Sequence, residues 1–186
     1  MARLAAGHEA ALNELMARHA ERLFNYLLRS LQDESDAADL AQETFVRVFE
    51  HRSRFDPAQK FSTWLYAIAS NLVRDRYRWR SRHPQVSLEV ANEAAGPEWR
   101  ESLREEKPSP SEAAQTSERA GLVRRAVAAL PEKWRVPLIL SVYEEKSHAE
   151  IGAILGCSAK AVEVRVYHAR QELRKKLGEL LGVRQP

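Results

Sequence analysis

The feature that most limits what this chain can fold into is a gap in its periodicity. From residue 83 to about 117 no apolar residue repeats at a regular interval. Pro84, Pro97, Pro108 and Pro110 punctuate that stretch, with Ser, Ala and Glu between them. On both sides of it apolar residues recur every three or four positions, the signature of amphipathic helices. The gap buries too little apolar surface to offset the entropy of ordering it. It therefore reads as a mobile linker between two helical units, and the fold class follows: all-α, two small helical domains joined by a flexible linker. Trp99 is the exception within the gap. Its indole either docks on a domain or a partner, or sits in a short helix from Pro97 to Glu106.

In the N-terminal unit Leu12, Leu15, Met16, His19, Leu23, Tyr26 and Leu27 share one face, predicting a helix over roughly Glu9 to Leu31. Ser35 or Asp36 can cap the next helix, in which Ala37, Leu40, Ala41, Thr44, Phe45, Val48 and Phe49 form the inward stripe. Asp39, Gln42, Glu43, Arg47 and Glu50 point outward. Phe55-Asp56-Pro57 makes a turn, because Pro57 fixes its own φ and pushes Asp56 away from helical geometry. Ser62 or Thr63 then caps a third helix with Leu65, Ile68, Ala69, Leu72 and Val73 on its apolar face. Three helices with short connections form a compact unit ending near Arg82.

The third helix is also basic and aromatic. Its other face carries Asn71, Arg74, Asp75 and Arg78; arginines 74, 76, 78, 80 and 82 come at every second residue, and the helix also carries Trp64, Tyr66, Tyr77 and Trp79. Cations meet phosphates, and flat rings meet unstacked bases, so the stretch has what single-stranded nucleic acid needs. The competing reading is a solvated basic helix with core aromatics, since charge runs often do no more than solvate a face.

In the C-terminal unit Leu122, Val123, Val127 and Leu130 resume the helical spacing. Pro131 opens another helix at a first-turn position, and Pro137 inside it removes one hydrogen bond and bends it. Leu138, Ile139, Val142 and Tyr143 are its core candidates. Ser147-His148-Ala149-Glu150 is a capping box, Gly156 a helix stop, and Ser158 the cap of a last helix with Val162, Val166, Ala169, Leu173 and Leu177 inward. A short helix, a glycine turn and a basic second helix make a helix-turn-helix, the alternative being an ordinary helical hairpin. The second helix exposes Lys160, Ala161, Glu163, Val164, Arg165, Tyr167, His168 and Arg170, as a recognition helix presents itself to the major groove.

Composition narrows the function. There are 29 Lys+Arg against 26 Asp+Glu, a net charge of only +3, so distribution matters more than total. Two basic regions flank an acidic middle, Glu89 to Glu118. The single cysteine, Cys157, excludes a disulfide framework and a multi-Cys zinc site, and the histidines show no ligand spacing. No cofactor or metal is called for. The N-terminus lacks the apolar core of a signal peptide, and the longest uncharged run, Phe61 to Val73, is shorter than the ~20 residues of a membrane span. No membrane insertion and a cytoplasmic location follow.

The motifs Asp36-Ala-Ala-Asp39-Leu-Ala-Gln42-Glu43-Thr-Phe45, then Phe61-Ser-Thr-Trp64-Leu-Tyr-Ala-Ile-Ala-Ser-Asn71, then Leu130-Pro131-Glu-Lys-Trp-Arg135 and Ala169-Arg170-Gln-Glu-Leu resemble bacterial RNA polymerase sigma factors of the extracytoplasmic-function (ECF) group. The match covers about 9 to 82 and 119 to 178, in order and spacing, which is more specific than a lone helix-turn-helix. The resemblance implies residues 1–82 as sigma region 2, 83–118 as linker, and 119–186 as region 4. It implies that Asp39, Gln42, Glu43 and the nearby Phe45 grip the core RNA polymerase. It assigns Lys60, Phe61, Ser62, Trp64, Asn71, Arg74, Asp75 and Arg78 to melting and holding the minus-ten promoter element. It assigns Lys160, Glu163, Val164, Arg165, Tyr167, His168 and Arg170 to the minus-thirty-five duplex. The linker would run through the polymerase channel, and an anti-sigma factor is the expected regulator. The chain departs from many relatives, which place Arg/Lys and Ser where it has Glu163 and Val164, and often Arg at His168. Glu163 either accepts from a cytosine amino group or pairs with Arg165 or Arg170.

The reading is thus a non-enzymatic initiation factor. The alternative is a stand-alone helix-turn-helix transcription regulator whose N-terminal helices only dimerise, which predicts duplex binding without polymerase. A nucleic-acid enzyme would need convergent carboxylates or a metal constellation, and Asp36, Asp39 and Glu43 fit a helix face and its cap better.

Overall fold

The computed structural model describes residues 1–83 and 120–180, all helix and turn. The expected linker, with Trp99 and the 97–106 helix, lies outside the described residues. A short helix α1 (Ala2–Ala5) precedes α2 (Ala10–Leu31), α3 (Glu34–Glu50), a 3-10 turn (Arg52–Arg54) and α4 (Phe61–Arg82). The C-terminal unit begins with α5 (120–128), followed by α6 (Glu132–Val142), α7 (His148–Leu155) and α8 (Ala159–Leu180).

The helix starts depart from the expected caps. Asp33, not Ser35 or Asp36, caps α3: its side chain accepts from the Asp36 amide at 2.9 Å. Gln32 before it takes a left-handed conformation, φ 58°, which ends α2 and sets the cap at Asp33, ahead of the Ser35 hydroxyl. α4 starts at Phe61 with Lys60 at the cap position and no side-chain cap at all; Ser62 and Thr63 already lie inside the helix. Pro131 is the cap residue of α6 rather than its first turn, and Pro137 sits within that helix. The C-terminal signals hold. Ser147 and Glu150 form the reciprocal capping box, Gly156 adopts φ 66°, and Ser158 Oγ accepts from Ala161 N at 3.1 Å.

The core follows the apolar stripes, with three corrections. Met16 is exposed, and so are Val142 (51%) and Tyr143 (38%), because α6 ends where the spacing continues. Tyr143 instead lies beneath the Arg29 guanidinium, 4.4 Å from ring centre to Cζ. α1 was not foreseen: four residues are too few to show a period, yet Leu4 is fully buried against α2 and Arg3 bonds Glu14 at 2.9 Å. Tyr26 and Ser70 share a buried hydrogen bond of 2.8 Å between α2 and α4, and burial pushes the Tyr26 phenol up.

The two units do not stand apart. α2 packs on α6 and α4 packs on α7, so buried side chains from Leu4 to Ala169 form one contiguous cluster.

Candidate nucleic-acid interface

The arginine row on α4 divides into two sets. Arg76 and Arg80 both bond the carboxylate of Asp36, which is buried at the start of α3, and Arg80 also reaches Asp33 Oδ2 at 3.1 Å. They clamp α4 to α3. Arg78 and Asp75 are exposed and face each other at 3.6 Å, and Arg74 donates to Asn71 Oδ1 at 3.1 Å. Positions 71, 74, 75 and 78 thus form an outward polar strip one turn apart, while 76 and 80 face inward.

The aromatic residues divide the same way. Tyr66 and Tyr77 are not available to bases. Tyr66 is buried, edge-on to Tyr26 at 5.1 Å, and donates to Glu144; burial first, then the Glu144 carboxylate, pushes its phenol up. Tyr77 donates to the Ser30 carbonyl and accepts from Arg135, with its phenol also raised by burial. Trp79 is exposed and stacks on His83 at 5.0 Å. At the other end of α4, Trp64 is half-buried, 5.3 Å from Phe55 and 6.3 Å from Phe61, and Phe61 meets His19 edge-on at 5.1 Å. Burial, then Arg18, Lys146 and Arg22, hold the His19 imidazole below its ordinary value. Lys60 and Ser62 border this cluster.

On α3, Asp39 and Gln42 are exposed, and Glu43 is half-exposed and pairs with Arg47 at 2.7 Å. Phe45 is different: at 4% exposure it belongs to the core behind that acidic and amide face.

The helix-turn-helix owes its tightness to a glycine that the sequence pattern did not single out. A Cβ on Gly152 would lie 2.6 Å from the Cys157 carbonyl oxygen, so α7 and the turn into α8 approach where only glycine fits. Beyond the turn, Lys160, Glu163, Val164, Tyr167, His168 and Arg170 are exposed, Tyr167 at 59%. Glu163 pairs with neither Arg165 nor Arg170. Both its oxygens take Lys160 Nζ at 3.0 Å. Arg165 is half-buried and donates to Cys157 Sγ at 3.6 Å, and His168 stacks on Trp134 at 5.6 Å. Among the described residues no group of His, Cys, Asp or Glu could hold a metal, and no helix is long and apolar enough to cross a membrane.

Sequence reasoning also missed Glu144, Lys146 and Glu150 as partners of α2 and α4. Glu144 is buried, 3.8 Å from Arg22. Lys146 Nζ donates to Ser62 Oγ at 3.2 Å, and Lys60 Nζ donates to Glu150 Oε1 at 2.8 Å. The Lys60 hydrogen bond, with those from Ser147, draws the Glu150 carboxyl down to about 2. No periodicity marks such pairs, because they join residues 84 and 90 positions apart.

A three-helix unit with a polar strip on its last helix, followed by a helix-turn-helix, is the architecture of a promoter-reading transcription factor. Residues 15–83 match the model of Sigma-70 region 2, and residues 120–173 that of Sigma-70 region 4. The chain is 31% identical to the ECF RNA polymerase sigma factor SigW of Bacillus subtilis, over 94% of its own length and 92% of that protein's. It is 33% identical to the RNA polymerase sigma factor CarQ of Myxococcus xanthus, over 97% of each. The solved structure of CnrH, a sigma factor of Cupriavidus metallidurans, in complex with the cytosolic domain of CnrY superposes with a TM-score of 0.68 at 28% identity, covering 96% of this chain and 94% of that one. The chain belongs to the sigma-70 family of RNA polymerase sigma factors, in its extracytoplasmic-function group.

Proposed function

We propose that this chain is a specificity subunit that docks on core RNA polymerase, directs it to promoters and opens them, without enzymatic activity of its own. Residues 1–82 act as region 2, 83–118 as the connection and 119–186 as region 4. Asp39, Gln42 and Glu43 form the polymerase-facing surface, where carboxylate and amide oxygens suit basic partners. Phe45 supports that face from the core behind it. Asn71, Arg74, Asp75 and Arg78 line the strand-facing strip of α4, with Lys60, Phe61, Ser62 and Trp64 at its N-terminal end. A base extruded there exchanges its stacking, a few kcal/mol, for ring and amide contacts. Lys160, Glu163, Val164, Arg165, Tyr167, His168 and Arg170 face the minus-thirty-five duplex. The Lys160–Glu163 pair must part before either reads a base or phosphate. A cytoplasmic location suits these roles. An inhibitory protein partner is the expected regulator, and the structural relative solved with the cytosolic domain of CnrY supports that reading.

The observation that carries this proposal is the separation on α4 of inward arginines (Arg76, Arg80) from an outward strip (Asn71, Arg74, Asp75, Arg78). Mixing the purified chain with core polymerase tests it. A holoenzyme that elutes as one peak is expected; two separate peaks would overturn the assignment. A stand-alone regulator would bind duplex DNA without the polymerase.

A further inference from the structure

We infer that Trp134, on α6, is a positioning residue for promoter reading: its indole holds the His168 imidazole of α8 on the duplex-facing side, where a ring N–H reads a base edge of the minus-thirty-five element. This deepens the proposed role of α8 and rests on it.

His168 is exposed, yet two rings hold it. The Trp134 indole lies nearly parallel to it, with 5.6 Å between ring centres and 22° between planes. The Tyr167 ring meets it edge-on at 5.7 Å. Ring pairs at such distances attract beyond the area they bury. Trp134 is itself anchored: it is half-buried against the core, on a helix that packs along α8. Lys133 lies over the same indole, its Nζ 5.3 Å from the ring centre.

The stack fixes a ring plane but takes no hydrogen bond. Among the described residues neither ring nitrogen of His168 has a hydrogen-bond partner. Its neighbours are committed: Lys160 and Glu163 hold each other at 3.0 Å, and Arg165 donates to Cys157 Sγ. His168 follows Val164 by one turn and adjoins Tyr167, so it shares their exposed face. An imidazole N–H can donate to a purine N7, a guanine O6 or a thymine O4, the acceptors that the major groove displays. A phosphate accepts from a wide range of directions and gains little from a fixed ring plane. A base edge accepts in the plane of its pair and gains from one, so the stack favours base reading over backbone contact. It also orders the side chain before DNA arrives. Freed from the indole, His168 would have to be ordered on the correct sequence and on no other, so discrimination falls by that cost.

The test uses the holoenzyme reconstituted from the full chain and core polymerase, with a pool of promoter fragments randomised across the minus-thirty-five element. Sequencing bound and unbound fragments gives a preference at each base pair. His168→Ala should flatten one position by about fivefold, the lower end of what a good base contact discriminates. Trp134→Leu removes the stack and should lower the preference at that same position by at least about twofold, leaving the others. Trp134→Phe should restore it, and Trp134→Leu added to His168→Ala should change nothing further there. A Trp134→Leu loss spread evenly over all positions, or none at the His168 position, would overturn the positioning role. A His168→Ala variant that weakens all sequences alike would make the contact a backbone one and overturn base reading. Far-UV circular dichroism checks that Trp134→Leu keeps its helix, and a measurement on the parent covers the case in which it does not. There the His168 ring protons, identified by their absence in His168→Ala, should resonate upfield of those of the exposed His8, because they lie over an indole; unshifted protons would overturn the stack. If the parent forms no holoenzyme or selects no sequence, the reading of the C-terminal unit falls and this inference with it. Preferences in the parent that Trp134→Leu leaves alone remove only the role of Trp134.

Discussion

Gly152→Ala is the sharpest probe of the helix-turn-helix, because two opposing effects predict opposite signs. In a helix, alanine is favoured over glycine by about 0.8–1 kcal/mol, so a site with room would be stabilised. At Gly152 the added Cβ would meet the Cys157 carbonyl oxygen at 2.6 Å and must retreat to at least 3.4 Å for ordinary contact. The obstacle is backbone at the mouth of α8, which cannot rotate aside as a side chain can. Overpacking of this kind costs about 1–3 kcal/mol, and a backbone neighbour puts it toward the upper end. Net destabilisation of about 1–2 kcal/mol is therefore expected, or a urea midpoint lower by roughly 0.5–1 M at an m-value near 2 kcal/mol/M. Gly121→Ala is the control. Its Cβ would find only the Arg125 and Arg124 guanidinium ends at 3.8 and 3.9 Å, so a neutral to stabilising effect of up to about 1 kcal/mol is expected. Urea unfolding followed by far-UV circular dichroism measures both. If Gly152→Ala were as stable as the parent, or more so, the close approach that sets the angle between α7 and α8 would be refuted.

Three further outcomes follow from the same geometry. Asp36→Ala leaves Arg76 and Arg80 without the carboxylate they share, and should cost about 2–3 kcal/mol, whereas Arg78→Ala on the exposed strip should stay within ~0.5 kcal/mol; urea midpoints decide, and equal losses would remove the distinction between inward and outward arginines. Glu43→Arg reverses the charge of the surface proposed to face the polymerase and should weaken core binding at least about tenfold with helix content intact, and unchanged co-elution would take this residue out of the interface. His19 is held neutral by burial and by Arg18, Lys146 and Arg22, so its contribution to stability is full above the ordinary imidazole value near 6.5 and is lost as pH falls below it. Urea midpoints of the parent and His19→Gln should differ less at pH 5.5 than at pH 7.5, and a gap that is the same at both would contradict the assignment.

The elements were legible in the sequence because stripes such as Leu23, Tyr26 and Leu27 or Val162, Val166 and Ala169 are dictated by the helical period, and the structure buries them. The capping box at Ser147 and the stop at Gly156 were legible for the same local reason. What escaped was anything decided by a distant partner. The helical period already put Arg74 and Arg78 on the polar face with Asn71 and Asp75; what it could not show is that Arg76 and Arg80 turn to the Asp36 carboxylate. Tyr66 and Trp64 both read as platforms for bases, yet a carboxylate brought from residue 144 takes the first into the core. Gly152 read as an ordinary helix residue, since its constraint comes from a carbonyl beyond the turn. The face that Lys60 shares with Glu150 could not be found from spacing, because nothing local couples two residues so far apart.

The central claim, that one chain gives core polymerase its promoter choice through two separate grips, is met most directly by footprinting the reconstituted holoenzyme on genomic fragments, with permanganate marking unpaired thymines. The account predicts two protected patches that both require this chain, an upstream one that stays double-stranded and a downstream one that becomes permanganate-reactive. A single patch, or protection identical with and without the chain, would contradict it.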